Sequence, residues 1–200
     1  MNDTKPAFVV GLGALGNAAI WALARTSGLT GNLFCIDPEV VELSNLQRYI
    51  LTRDNSIGTT KASMAAAEFA LCAPQDKNSI SVEGIDATWQ EFVDARGNYH
   101  FDRVLLALDS AEGRMAVQSS LPRWVTNGWT QAENLGVTRH PNFETNACVT
   151  CLYMPAGIVK SHEQLVGEAL RAQTDEERLE IKRLLHLGTP VGETFVRRIA

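Results

Sequence analysis

The chain has 200 residues, 45% of them apolar, with 18 basic and 23 acidic side chains for a net charge of −5. That suffices for one sizeable domain, and the acidic balance gives no reason to expect nucleic acid or anionic lipid as a partner. No apolar run approaches the ~20 residues of a membrane span, the N-terminus is no signal peptide, and four cysteines suit a reducing cytoplasm better than a disulfide scaffold.

In chain order, Ala7–Val10 reads as a short apolar strand, followed by a glycine turn and an apolar helix from about Ala14 to Arg25. Gly28 and Gly31 punctuate the return to a second strand, Leu33–Ile36, which ends at Asp37. A polar loop, Pro38–Leu51, leads to Gly58-Thr59-Thr60 and an alanine-rich helix reaching about Cys72. Ile80–Ile85 alternates as a strand should, Trp89–Ala95 is a helix, and Val104–Leu108 is a buried strand delivering Asp109. Ser110–Leu121 is helical, and Trp124–Trp129 and Leu135–Arg139 are further strands, expected to be antiparallel. The last fifty residues open two polar helices, about His162–Ala172 and Asp175–His186, through the capping boxes Ser161-x-x-Gln164 and Thr174-x-x-Glu177. Thr194–Ala200 ends without a closing signal, so the sequence is expected to continue. The alternation predicts an α/β, Rossmann-like, doubly wound and mostly parallel sheet. Residues 1–151 form its nucleotide-binding domain and 152–200 a helical continuation of it.

Gly11-x-Gly13-x-x-Gly16 follows a strand and opens a helix, the context in which such glycines cradle phosphate at a helix N-terminus. Asp37, about 20 residues further on at the end of the second strand, is placed to accept from ribose hydroxyls. Close packing plus a turn aspartate would explain the same letters, but strand, glycines, helix and acid all stand in register. Asn45 and Arg48, three apart, share one face of any helical turn. Asn45 as a cap and Arg48 as a solvated side chain is an equal reading of either alone. Lys61 falls in the first turn of a helix, where the macrodipole disfavours a cation by about 0.3–1 kcal/mol. An anion facing it removes the anomaly, and a triphosphate would serve both cations.

The run resembles the ThiF/MoeB/ubiquitin-activating-enzyme superfamily. The resemblance rests on Asp37 with Glu39, then Val41-Glu42-Leu43-Ser44-Asn45-Leu46-Gln47-Arg48, then Ile57-Gly58-Thr59-Thr60-Lys61-Ala62, within a match over roughly residues 9–151. It implies an ATP-dependent adenylyltransferase that converts the C-terminal glycine of a ubiquitin-like or sulfur-carrier protein to an acyl-adenylate, in a homodimer. Gly11, Gly13, Gly16, Asp37, Asn45, Arg48 and Lys61 would hold ATP, with Arg48, Lys61 and Asp109 catalytic. Asp109 can be read as a helix cap; the resemblance makes it a Mg²⁺ ligand, in keeping with the hard oxygen donors that ion takes.

Cys148-x-x-Cys151 has zinc-knuckle spacing and reads as half a Zn²⁺ site, since structural zinc wants four ligands. His162 or a partner chain would have to complete it. Three features depart from the family pattern. Met1–Pro6 hold no arginine, Tyr49 stands where glutamine commonly follows the arginine, and no cysteine for a thioester follows Cys151. Two alternatives stay open: an NAD(P)-dependent oxidoreductase, which leaves Arg48 and Lys61 idle, and a non-catalytic adenylation-like binding module.

Overall fold

The computed structural model describes residues 5–73, 79–97, 100–131, 134–154, 162–172, 174–190 and 192. Six strands, β1 (Ala7–Val10), β2 (Thr30–Ile36), β3 (Ser79–Ile85), β4 (Arg103–Leu106), β5 (Trp124–Gln131) and β6 (Asn134–Pro141), form one sheet in the order β3-β2-β1-β4-β5-β6. All neighbours pair in parallel except β5 and β6, an antiparallel pair running from Trp124↔Pro141 to Gln131↔Asn134. This is the expected Rossmann-like, doubly wound sheet with an antiparallel edge.

Period-two alternation divides the sheet's side chains between two cores. On one face Phe8, Val10, Ile36, Leu106 and Val125 meet α3 (Trp89–Arg96), α4 (Ala111–Ser119) and α5 (Val149–Tyr153). On the other, Val9, Leu33 and Cys35 meet α1 (Ala14–Ala24) and α2 (Lys61–Cys72) through Ile20, Ala24, Ala65 and Phe69. Cys35 is fully buried there, which pushes its thiol up to about 12. The chain falls into two compact units, 1–154 and 155–200. In the second, α6 (His162–Ala169) and α7 (Asp175–His186) follow one another, and Thr174 caps α7 by accepting from the Glu177 amide. Ser161 and 194–200 lie outside the described residues.

Several expected boundaries move. β2 begins at Thr30, so Gly31 lies inside the strand, because pairing with Ser79 and Ile80 extends it. β4 stops at Leu106, and α6 stops at Ala169, short of 172. The loop 38–51 contains a 3-10 turn, Leu43–Asn45, and α5, absent from the sequence reading, starts at the cysteine pair. Among the described residues no helix is long and apolar enough to cross a membrane.

Candidate nucleotide site at the carboxyl edge of the sheet

The strand order reverses between β1 and β4, and open α/β sheets bind ligands just beyond the carboxyl ends at such a point. A cleft of about 720 Å³ lies there, lined by Gly11, Gly13, Asp37, Asn45, Arg48, Lys61 and Asp109 among others. Seven of the eight residues predicted for the nucleotide and Mg²⁺ thus line one cleft, and Cys148 and Cys151 do not. Gly16, the eighth, sits behind it.

The glycines divide the labour. Gly11 has φ +87°, and a β-carbon there would come within 2.8 Å of the Ala107 carbonyl oxygen, so the turn seats directly against the end of β4. A β-carbon on Gly16 would collide with the Gly11 carbonyl. Gly13 differs: it needs no unusual backbone angle, and a β-carbon would meet nothing nearer than the Tyr49 hydroxyl at 3.9 Å. A side chain at Gly13 would therefore stand in the cleft rather than against the protein.

Asp37 is buried, and its carboxylate braces the turn. Oδ2 accepts from the Leu12 amide at 2.6 Å and Oδ1 from the Glu39 amide at 2.9 Å. Burial pushes its pKa up, although the Leu12 and Glu39 amides and the nearby Lys61 pull the other way. An ionised carboxylate offers about four acceptor positions, so two remain for further donors. Asn45 is also buried, and its side-chain oxygen accepts from the Glu42 amide at 3.0 Å across the 3-10 turn. The capping reading of Asn45 therefore describes part of its work.

Lys61 opens α2 as expected, with Thr60 capping the helix by accepting from the Ser63 amide. The anion facing it within the protein is Glu39, an ion pair between a loop and a helix that spacing alone does not reveal. Burial alone would push the ammonium down; the Glu39 carboxylate and Tyr49 outweigh it and hold the group above its ordinary value. Arg48 is exposed, and its guanidinium donates to the Ser44 carbonyl at 3.2 Å. Both cations face the ring of buried Tyr49, with Arg48 Cζ 5.5 Å and Lys61 Nζ 5.4 Å from its centroid.

Asp109 lies three residues past the end of β4 and is exposed in the cleft. The α4 cap is Ser110, whose hydroxyl accepts from the Gly113 amide at 3.1 Å. The capping alternative therefore falls to its neighbour, and the Asp109 carboxylate has no hydrogen bond or ion pair to a described residue. Arg114, which sequence reasoning missed, fixes this turn from behind. Buried at 5% exposure, it donates to the Leu108 carbonyl and, at 2.8 Å, to the Tyr153 hydroxyl. Only its place one turn after the cap hinted at this. Asn127 adds a 3.2 Å bond to the same hydroxyl.

The sulfurs of Cys148 and Cys151 lie 3.8 Å apart at the start of α5. Among the described residues no third histidine, cysteine or carboxylate joins them.

A family model for the ThiF family matches residues 3–169. The chain is 44% identical over 198 residues to the uncharacterized protein y4jF of Sinorhizobium fredii, covering 99% of this chain and 37% of that one. It is 40% identical over 106 residues to the molybdopterin-synthase adenylyltransferase of Haemophilus influenzae, covering 53% of this chain and 41% of that one. The chain thus spans less than half the length of these relatives. The crystal structure of Escherichia coli MccB with AMPCPP and MccA has the same fold, with a TM-score of 0.55 at 16% identity, covering 70% of this chain and 41% of that one. With the glycine turn, the Ser-Asn-Leu-x-Arg segment and the helix-opening lysine on one cleft, the chain belongs to the ThiF family.

Proposed function

We propose that this chain carries the ATP site of an adenylyltransferase that activates the C-terminal glycine carboxylate of a ubiquitin-like or sulfur-carrier protein. A carboxylate oxygen of the substrate attacks the α-phosphorus of ATP in line; the bond to the bridging oxygen breaks, and acyl-adenylate and pyrophosphate result. The substrate carboxylate is already ionised at neutral pH, so no side-chain nucleophile is required. The work is positioning and charge neutralisation.

The observation that carries this reading is the meeting of two cations with a glycine cradle in one cleft of nucleotide size. Gly11 and Gly13 would receive phosphate, with Gly16 holding the turn against its helix. Asp37 would accept from ribose through its remaining lone pairs, and Asn45, Arg48 and Lys61 would face the triphosphate. Charge leaving with pyrophosphate is what Arg48 and Lys61 would stabilise. Lys61 would exchange its exposed partner Glu39 for phosphate. A hydride-transfer role gives neither cation a target.

Mg²⁺ fits the Asp109 carboxylate, a hard oxygen donor beside the phosphate turn without a partner among the described residues; when bound it would supply neutralisation of phosphate charge. Zn²⁺ fits less completely. A spacing of 3.8 Å suits two corners of a tetrahedron with Zn–S bonds of about 2.3 Å, so Cys148 and Cys151 would be half of a site completed from outside the described residues. A homodimer through the β6 edge belongs to the same reading, supported by Leu135 and Val137, which stand 80% and 68% exposed there.

The test is ATP–pyrophosphate exchange by the full-length protein, with and without a ubiquitin-like protein ending in Gly-Gly. Exchange that depends on the acceptor's terminal carboxylate is expected. ATP binding without exchange against any such protein would favour a binding module, and tight NADH binding with no response to ATP would favour an oxidoreductase.

A further inference from the structure

The two cations of the cleft differ in how firmly the protein holds them. Arg48 is exposed on a long rotatable stem, tied by one bond to the Ser44 carbonyl. Lys61 is buried; its partners are Glu39, whose side chain is 68% exposed, and the Tyr49 hydroxyl. Both cations lie at nearly the same distance, 5.5 and 5.4 Å, from one ring. That ring belongs to Tyr49, which is 5% exposed. Its own backbone is pinned: the Tyr49 amide donates to the Asn45 carbonyl at 3.1 Å, and its carbonyl accepts from the Thr52 amide at 3.3 Å. Its hydroxyl reaches to just beneath Gly13.

We propose that Tyr49 is a positioning residue whose ring and hydroxyl set Arg48 and Lys61 beside the glycine turn before ATP arrives. This rests on the adenylating reading of the cleft. An aromatic face attracts cations by its quadrupole, and the attraction strengthens where water is excluded, as at this buried ring. Fixing two charges in advance removes the cost of ordering them when the ligand binds.

The test is a double-mutant cycle on ATP affinity in the full-length protein, by calorimetric titration of wild type, Tyr49→Leu, Lys61→Ala and the pair. Tyr49→Leu keeps an apolar plug and loses the aromatic face. It is expected to weaken ATP binding about tenfold in the wild-type background, and about threefold or less once Lys61 is already alanine. A purely structural tyrosine would cost the same factor in both backgrounds, and that additivity would overturn the proposal. Should Tyr49→Leu fail to fold, Tyr49→Phe keeps the ring and removes the hydroxyl bond to Lys61, with an expected loss of about two- to threefold that vanishes beside Lys61→Ala. Equal losses there, or none in either background, would overturn it as well. Wild type that binds no ATP would instead sink the nucleotide reading and the positioning role with it, an outcome distinct from tight binding with additive losses.

Discussion

At the carboxyl ends of β1, β2 and β4, a cleft of about 720 Å³ gathers Arg48, Lys61 and Asp109 around the glycine turn; at the amino ends of the same strands, a cleft of about 660 Å³ is walled by Leu33, Leu105, Trp124 and Thr126, with Lys5, Asp102, Arg103 and Arg139 around it. The volumes barely differ. The state of the charges does. At the amino end Asp102 takes Lys5 at 3.3 Å and Arg103 at 3.8 Å, and Arg139 lies over the Trp124 ring, so each charged side chain there has a partner among the described residues. At the carboxyl end Asp109 has no described partner, Arg48 has only a carbonyl and a ring, and Lys61 leans on an exposed glutamate. Helix N-termini also point to the carboxyl edge in a parallel α/β sheet and add to its pull on anions. Size does not mark a site; unsatisfied, convergent polarity does.

The sharpest way to break that contrast is to remove one charge from each end. Lys61→Ala or Arg48→Ala is expected to cut ATP–pyrophosphate exchange by about 10²–10³-fold with little change in unfolding midpoint, the range seen when a preorganised electrostatic contact is lost. Arg103→Ala at the amino end should leave exchange within about twofold, in line with the small worth of exposed ion pairs. Equal effects at both ends would erase the distinction.

A second, smaller effect separates cradle from scaffold within the glycine turn. Gly13→Ala should fold with near-normal stability and bind ATP about tenfold more weakly, because the new methyl group points into empty space meant for ligand. Gly16→Ala should instead destabilise the fold by about 1–3 kcal/mol or more, because its methyl group meets the Gly11 carbonyl. Calorimetric titration and chemical denaturation distinguish the two. A Gly13→Ala variant that binds ATP as well as wild type would leave the cradle without support.

The smallest effect concerns Asp37. Burial, its leading influence, raises its pKa, so the folded state holds the Asp37 proton more tightly than the unfolded chain does. Its contribution to stability is then full below the ordinary carboxylate value of about 4 and lost as pH climbs through the raised value. The unfolding free energy of wild type minus that of Asp37→Asn should fall with rising pH across that window and level off above it. A difference that grew with pH would reverse the sign assigned here.

The sheet and most of the cleft were legible in the sequence because their signals are local. Apolar runs, glycine spacing and an aspartate at a strand end each fix a position without reference to the rest of the chain. Lys61 was legible as an oddity, a cation at a helix N-terminus, but its partner Glu39 was not, since that pair forms only once loop and helix come together. Arg114 was silent for the same reason: its partners Leu108, Gly128 and Tyr153 come from three separate segments. α5 escaped because five residues carry too little periodicity to declare a helix, and the cysteine pair drew the reading toward metal. Tyr49 could be seen as a departure, yet its ring beneath two cations is a property of the fold.

The most direct measurement is a crystal structure of the full-length protein with a non-hydrolysable ATP analogue and Mg²⁺. The expected result is a triphosphate over Gly11–Gly13, contacted by both Arg48 and Lys61, with Asp109 at the metal. Analogue density at the amino-end cleft, or a nucleotide at the glycine turn with either cation directed away into solvent, would contradict it.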